Sequence, residues 1–138
     1  MLRRFEIENY KSLHKVQADL PPFAAFVGAN AAGKTNLADA LEFLSLVARD
    51  GLASAITEKG GYENICFRRE RRATGGVHFS INIDGVHIPF TNSNGLEFGF
   101  QYSFSFGAKS RAINCEYTVG DESLIVRARQ VEIGRAHV

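Results

Sequence analysis

Gly28, Ala29, Asn30, Ala31, Ala32, Gly33, Lys34 and Thr35 satisfy the spacing G-x-x-x-x-G-K-[ST]. Each fixed position has chemistry attached. Gly28 and Gly33 allow backbone angles and close approaches that a Cβ would block. The loop's N–H groups can then turn inward around a phosphate, helped by the positive end of the helix that follows. Lys34 would place an ammonium between the β- and γ-phosphates of a nucleoside triphosphate, and Thr35 would offer its hydroxyl to Mg²⁺. A Gly/Ala-rich turn that only caps a helix has a similar composition, so the flanks decide. A short apolar run, "FAAFV", precedes the loop and an amphipathic stretch follows it directly. A dinucleotide fingerprint is disfavoured because Asn30 stands where G-x-G-x-x-G needs glycine.

The elements that must position this loop can be read from periodicity. Phe5 and Ile7 alternate with Arg4, Glu6 and Glu8, which predicts a half-buried strand. Residues 9–12 form a polar break. Val16, Ala18 and Leu20 alternate with Gln17 and Asp19, a second strand ended by Pro21-Pro22. The unbroken run at residues 23–27 predicts a strand buried on both faces. Beyond the loop, Leu37, Ala40, Leu41, Leu44 and Val47 fall at helical spacing, and Asp50-Gly51 is the stop. "LASAI" predicts another short helical turn before Gly60-Gly61.

The second half reads as antiparallel strands. Val77, Phe79, Ile81 and Ile83 alternate with polar residues, and Asp84-Gly85 predicts a hairpin turn into Val86, Ile88 and Phe90. Leu96, Phe98, Phe100, Tyr102, Phe104 and Phe106 continue the alternation, which makes the aromatic stripe the buried face of a sheet. Ile113, Cys115, Tyr117 and Val119 repeat it once more. No internal repeat or low-complexity linker is visible.

"FEIENYKSL" followed by "FVGANAAGKTNLADALEFL" resembles the start of the SMC/RecF-like, ABC-type ATPase heads. The resemblance is closest to the bacterial AAA-family ATPases that include the OLD-type (overcoming lysogenization defect) proteins. "GLASAITEKGGYENICFRR" resembles the segment that follows their first helix. Carried over by position, Asn30 matches the loop asparagine, Lys34 the phosphate lysine and Thr35 the Mg²⁺ residue, with Asn36 following. Lys11 matches a basic residue that in relatives reaches toward the nucleotide phosphates. Ala31 stands where the family usually has glycine. The resemblance implies an α/β fold: the N-terminal lobe of a P-loop NTPase head, a mixed sheet with the phosphate-loop helix plus an antiparallel β meander. The strand-loop-helix core would occupy residues 1–60 and the β extension residues 73–131. It further implies ATP and Mg²⁺ as cofactors and two heads closing around two ATP molecules as a homodimer. The coupled task, in DNA repair or phage defence, is often on DNA.

Hydrolysis also needs a carboxylate to hold Mg²⁺ through water and another to position the attacking water. Asp121-Glu122 follows Gly120 and reads as a hairpin turn, and Asp84 is succeeded by Gly85. Neither looks like the end of a buried Walker B strand, and no Leu-Ser-Gly-Gly signature occurs. The expectation is ATP binding without efficient hydrolysis by this chain alone. The tail "EIGRAHV", residues 132–138, interrupts the strand pattern and matches what a sequencing-library adapter encodes when read through, so we expect a non-native end on a truncated head lobe. A complete small P-loop kinase or GTPase would need a lid and an acidic strand end. A degenerate nucleotide-sensing or interaction module is the non-enzymatic alternative.

A net charge of +1 predicts no strong overall attraction to nucleic acid or to an acidic membrane. No stretch approaches the ~18 apolar residues of a membrane-spanning helix, and the start is not a signal peptide, which points to the cytoplasm. Cys66 and Cys115 have no metal-ligand spacing and read as reduced thiols. "FRRERR" reads as a solvated loop rather than a phosphate-backbone contact, and the four histidines form no metal pattern.

Overall fold

A computed structural model describes residues 1–29, 33–69, 72–73, 76–91, 94–108 and 117–132. Strands β1 (Leu2–Tyr10), β2 (Leu13–Asp19), β5 (Val77–Pro89), β6 (Asn94–Ala108) and β7 (Tyr117–Glu132) form one sheet in the order β2-β1-β5-β6-β7. Every pairing in it is antiparallel. The mixed sheet expected from the resemblance is therefore not what the described residues form. Helices α1 (Lys34–Asp50), α2 (Leu52–Glu58) and α3 (Tyr62–Ile65) lie in sequence between β2 and a two-stranded ribbon, β3 (Arg68–Arg69) with β4 (Arg72–Ala73).

Alternation decides which face of the sheet the helices cover. Phe5 and Ile7 of β1, Val77, Phe79 and Ile81 of β5, and Phe104 and Phe106 of β6 all face one side and are buried. Arg4, Glu6, His78, Ser80, Gln101 and Ser103 stand on the other face by the same period of two. Asn9 adopts a left-handed backbone, φ 57°, which Asn tolerates better than most residues. The alternation shifts there, so Tyr10 joins Phe5 and Ile7 in the core.

α1 meets this apolar face through Ala40, Phe43, Leu46 and Val47. The predicted face named Ala40 and Val47 but centred on Leu37, Leu41 and Leu44, which are only partly buried. Leu-rich spacing alone could not place Phe43, whose ring is fully buried with centroids 5.4 Å from Tyr10, 5.6 Å from Phe79 and 5.9 Å from Phe106. Gly51 ends α1 at a positive φ of 87° with its N–H on the Val47 carbonyl, as the stop signal predicts.

Three expectations are corrected. Residues 23–27 belong to no strand, and Phe23 and Val27 are 85% and 91% exposed. A strand needs a ladder partner for its backbone groups, and among the described residues no strand pairs with this segment. Asp84-Gly85 is not a hairpin turn but an irregularity within β5, where the register with β6 shifts between Ile83 and Val86 and Gly85 takes φ 74°. The long partner strand β6 keeps both halves of β5 in one ladder, and the reversal falls instead between Phe90 and Asn94. Asp121-Glu122 likewise lies inside β7, beside a register shift near Ser105, whose hydroxyl accepts the Asp121 N–H at 3.1 Å.

The aromatic stripe of β6 is buried at Phe104 and Phe106, whereas Phe98, Phe100 and Tyr102 are half-exposed. Cys66 is buried and free. Cys115, Ile113 and residues 133–138 lie outside the described residues. Phe43→Ala should cost about 3–5 kcal/mol, the range for deleting a buried aromatic ring, as read by urea unfolding. Leu41→Ala, on the flank of the same helix, should cost clearly less.

Candidate functional site

The start of α1 is electrically unfinished. Gly33 precedes the helix at φ 87° and accepts the Leu37 N–H at 2.9 Å. The amides of Lys34, Thr35 and Asn36 have no acceptor within the helix. Among the described residues no side chain caps them, and the first turn contains no acidic residue. Partial positive charge therefore collects at this end. The left-handed angle at Gly33 favours glycine, since a Cβ there is strained whatever the surrounding space.

Lys34 turns back from this helix start, and its ammonium donates to the Gly28 carbonyl. That contact joins the first residue of the glycine motif to its lysine. Gly28 and Ala29 are exposed, as is Thr35, while Lys34 and Asn36 are partly covered. Asn30, Ala31 and Ala32 lie outside the described residues.

The β1–β2 turn packs beside the same helix start. The Asn36 amide donates to the Ser12 hydroxyl, and a Cβ on Gly33 would lie 3.6 Å from Leu13 and 3.7 Å from Ser12. Lys11, in this turn, has φ 49°, a left-handed angle uncommon for a side-chain-bearing residue. Its N–H is held by the Ile65 carbonyl at 2.8 Å. The structure thus brings Lys11 next to α1, and its ammonium rests 2.7 Å from the Asp39 carboxylate.

Asp39 is a residue that motif reasoning missed. One carboxylate oxygen accepts from the Tyr10 hydroxyl at 2.6 Å and from Lys11, and the other accepts from Lys59 at 2.7 Å. Lys59 also donates to Glu42 at 2.6 Å. Burial alone would raise the Asp39 pKa, but the hydrogen bonds from Lys11, Lys59 and Tyr10 outweigh it and hold the carboxyl at about 2. Burial first, and then the bond to Asp39, push the Tyr10 phenol well above its ordinary value. For Lys59, burial works against the charged form, yet the bonds to Asp39 and Glu42 leave its pKa raised. The available sequence signal was an acidic residue at i+4 from Thr35 inside an apolar-periodic helix. Nothing at that level named its three donors.

Among the described residues no group of His, Cys, Asp and Glu could hold a metal ion. Glu122 is exposed and accepts the Tyr102 hydroxyl at 2.8 Å, so it does not stand at a buried strand end. No described helix is long and apolar enough to cross a membrane.

The Asp39 pKa, lowered from 3.8 to about 2, fixes the sign of a pH effect. A depressed folded-state carboxyl stabilises fully above its unfolded pKa, and that stabilisation fades as pH falls through its folded pKa. The stability difference between the native chain and Asp39→Asn, measured by urea unfolding, should therefore be constant above about pH 5 and shrink towards pH 2.

A family described as AAA ATPase domain matches residues 1–122. The chain is also similar to the Chromosome partition protein Smc of Methanocaldococcus jannaschii, with 43% identity over 100 residues, covering 63% of this chain. The match spans 8% of the length of that protein. An AAA-type domain suggests a P-loop NTPase, here built on a mostly antiparallel sheet with few helices. With the family match running over most of the chain and the glycine motif at the uncapped start of α1, this chain belongs to the AAA ATPase domain family.

Proposed function

We propose that the chain binds ATP with Mg²⁺ at the loop of residues 28–35, as the nucleotide-holding lobe of a larger SMC/RecF-like or OLD-like ATPase. The observation that carries the reading is the Lys34 ammonium folded back onto the Gly28 carbonyl over an uncapped helix start. A triphosphate offers this ammonium and these amides better acceptors than one carbonyl oxygen. Gly28, Ala29, Asn30, Ala31, Ala32 and Gly33 would surround the phosphates, with the amides of Lys34, Thr35 and Asn36 behind them. Mg²⁺ would neutralise phosphate charge, and the exposed Thr35 hydroxyl would be its protein ligand.

Lys11 enters this reading as a second cation on the phosphates, carried by the β1–β2 turn. Its present partner, Asp39, would compete with the nucleotide for it. Lys59 would keep Asp39 satisfied if Lys11 left, since it holds the other carboxylate oxygen. The domain reading follows: residues 1–131 act as one head lobe. Two such heads would pair around ATP as a homodimer. A task on DNA, in repair or phage defence, in the cytoplasm, belongs to the same proposal; the likeness to a chromosome partition protein supports the DNA part alone.

Titration with a fluorescent ATP analogue and Mg²⁺ tests the site. Lys34→Ala should weaken binding by roughly tenfold or more, the loss expected for a charge-assisted contact. Equal affinity in both chains would sink the proposal. Asp39→Asn should tighten binding a few-fold by freeing Lys11, and should give no gain in a Lys11→Ala background.

A further inference from the structure

β7 runs along one edge of the sheet, with β6 on one side and no strand on the other among the described residues. An edge this long normally carries some device against pairing with another chain. Here a register shift lies near the start of β7, but beyond it the exposed residues include Leu124 (60%), Ile125 (43%) and Val126 (50%). Leu124 and Val126 lie opposite Tyr102 and Phe100, so they extend the aromatic stripe on the helix-bearing face.

The order of residues along this edge is self-complementary. Fold the strand antiparallel onto a copy of itself with Ile125 on the two-fold axis. Leu124 then faces Val126 and Asp121 faces Arg129, each pair occurring twice. Directly opposed residues share a face, so the Asp121–Arg129 pairs fall on the polar side and the Leu124–Val126 pairs on the aromatic side. Moving the axis by one residue to Leu124 sets Glu122 against Val126 and Ser123 against Ile125. Placing it between Leu124 and Ile125 opposes residues from different faces and turns the helix layers to opposite sides. Arg129 already donates to Glu97 through Nε and one terminal nitrogen, at 3.2 and 2.7 Å. Its guanidinium has five N–H groups, so donors remain for a second carboxylate.

We infer that β7 is a homodimerisation edge: two copies of this chain pair antiparallel through residues 121–129, with Ile125 on the dyad, and join their sheets into one. The occupant is a second copy because apolar opposes apolar and acid opposes base at one register of the strand on itself. This pairing is independent of nucleotide and uses none of the loop residues.

Sedimentation velocity of the whole chain without nucleotide, at graded concentrations, should show a monomer–dimer equilibrium. Asp121→Arg should raise the dimer dissociation constant by roughly tenfold or more, because it creates two like-charge pairs in place of two opposite ones. Arg129→Asp, carried with Glu97→Gln to avoid a new repulsion within the chain, should do the same. Mixing the two variants should restore dimers, now heterodimers, since each reversal meets its complement across the axis. Ile125→Lys, which places two ammonium groups on the dyad and leaves the ion pairs alone, should also hold the chain monomeric. A wild-type chain that stays monomeric would overturn the inference. So would open-ended oligomers, single reversals that associate normally, or a mixture that fails to recover. Unchanged ATP binding in the reversed variants separates this edge from the nucleotide site.

Discussion

The Asp39 carboxylate fastens three separate stretches of chain: Tyr10 and Lys11 at the end of β1, α1 itself, and Lys59 after α2. A carboxylate this enclosed would be costly if unpaired, and here each oxygen has at least one strong donor. Such a cluster adds little net stability over an apolar replacement, but removing one member strands the others. Its structural value is positional. It fixes the β1–β2 turn against the first turns of α1, which is where the glycine motif enters the helix.

The same knot explains the unusual backbone at Lys11. A left-handed angle on a long side chain is maintained only when the surroundings over-determine it. The Ile65 carbonyl holds the Lys11 amide and Asp39 holds its ammonium. The side chain is thereby stored beside the helix start. Beneath the knot, the rings of Tyr10, Phe43, Phe79 and Phe106 join β1, α1, β5 and β6 in one aromatic cluster. Offset and edge-on contacts of this kind add to simple area burial.

The sheet is covered unevenly. Helices protect the inner face around Phe79, Phe104 and Phe106, while the aromatic stripe thins into half-exposed Tyr102, Phe100 and Phe98. Apolar residues at 23–27 and along β7 stay in contact with water. Contiguous exposed apolar surface of this kind marks places where more protein is meant to sit. The two regions lie on different elements.

Local pattern determined much of the rest. Period-two alternation gave β1, β2, β6 and the two halves of β5, glycine stop signals gave the end of α1, and the fixed spacing from Gly28 to Thr35 gave the candidate site. These features depend on neighbours in the chain, so the chain order records them. Pairing does not work that way. Residues 23–27 look like a buried strand, but burial needs a partner ladder that a local pattern cannot guarantee. Asp84-Gly85 looks like a hairpin turn, but the length of β6 makes it an irregularity within a strand. Leucine spacing approximates the buried face of α1, yet the position of the sheet rotates it towards Phe43. Lys11 carries a charge in any reading. Only the fold brings Asp39 within 2.7 Å of it, because an ion pair between residues distant in the chain exists only once β1 and α1 are packed together.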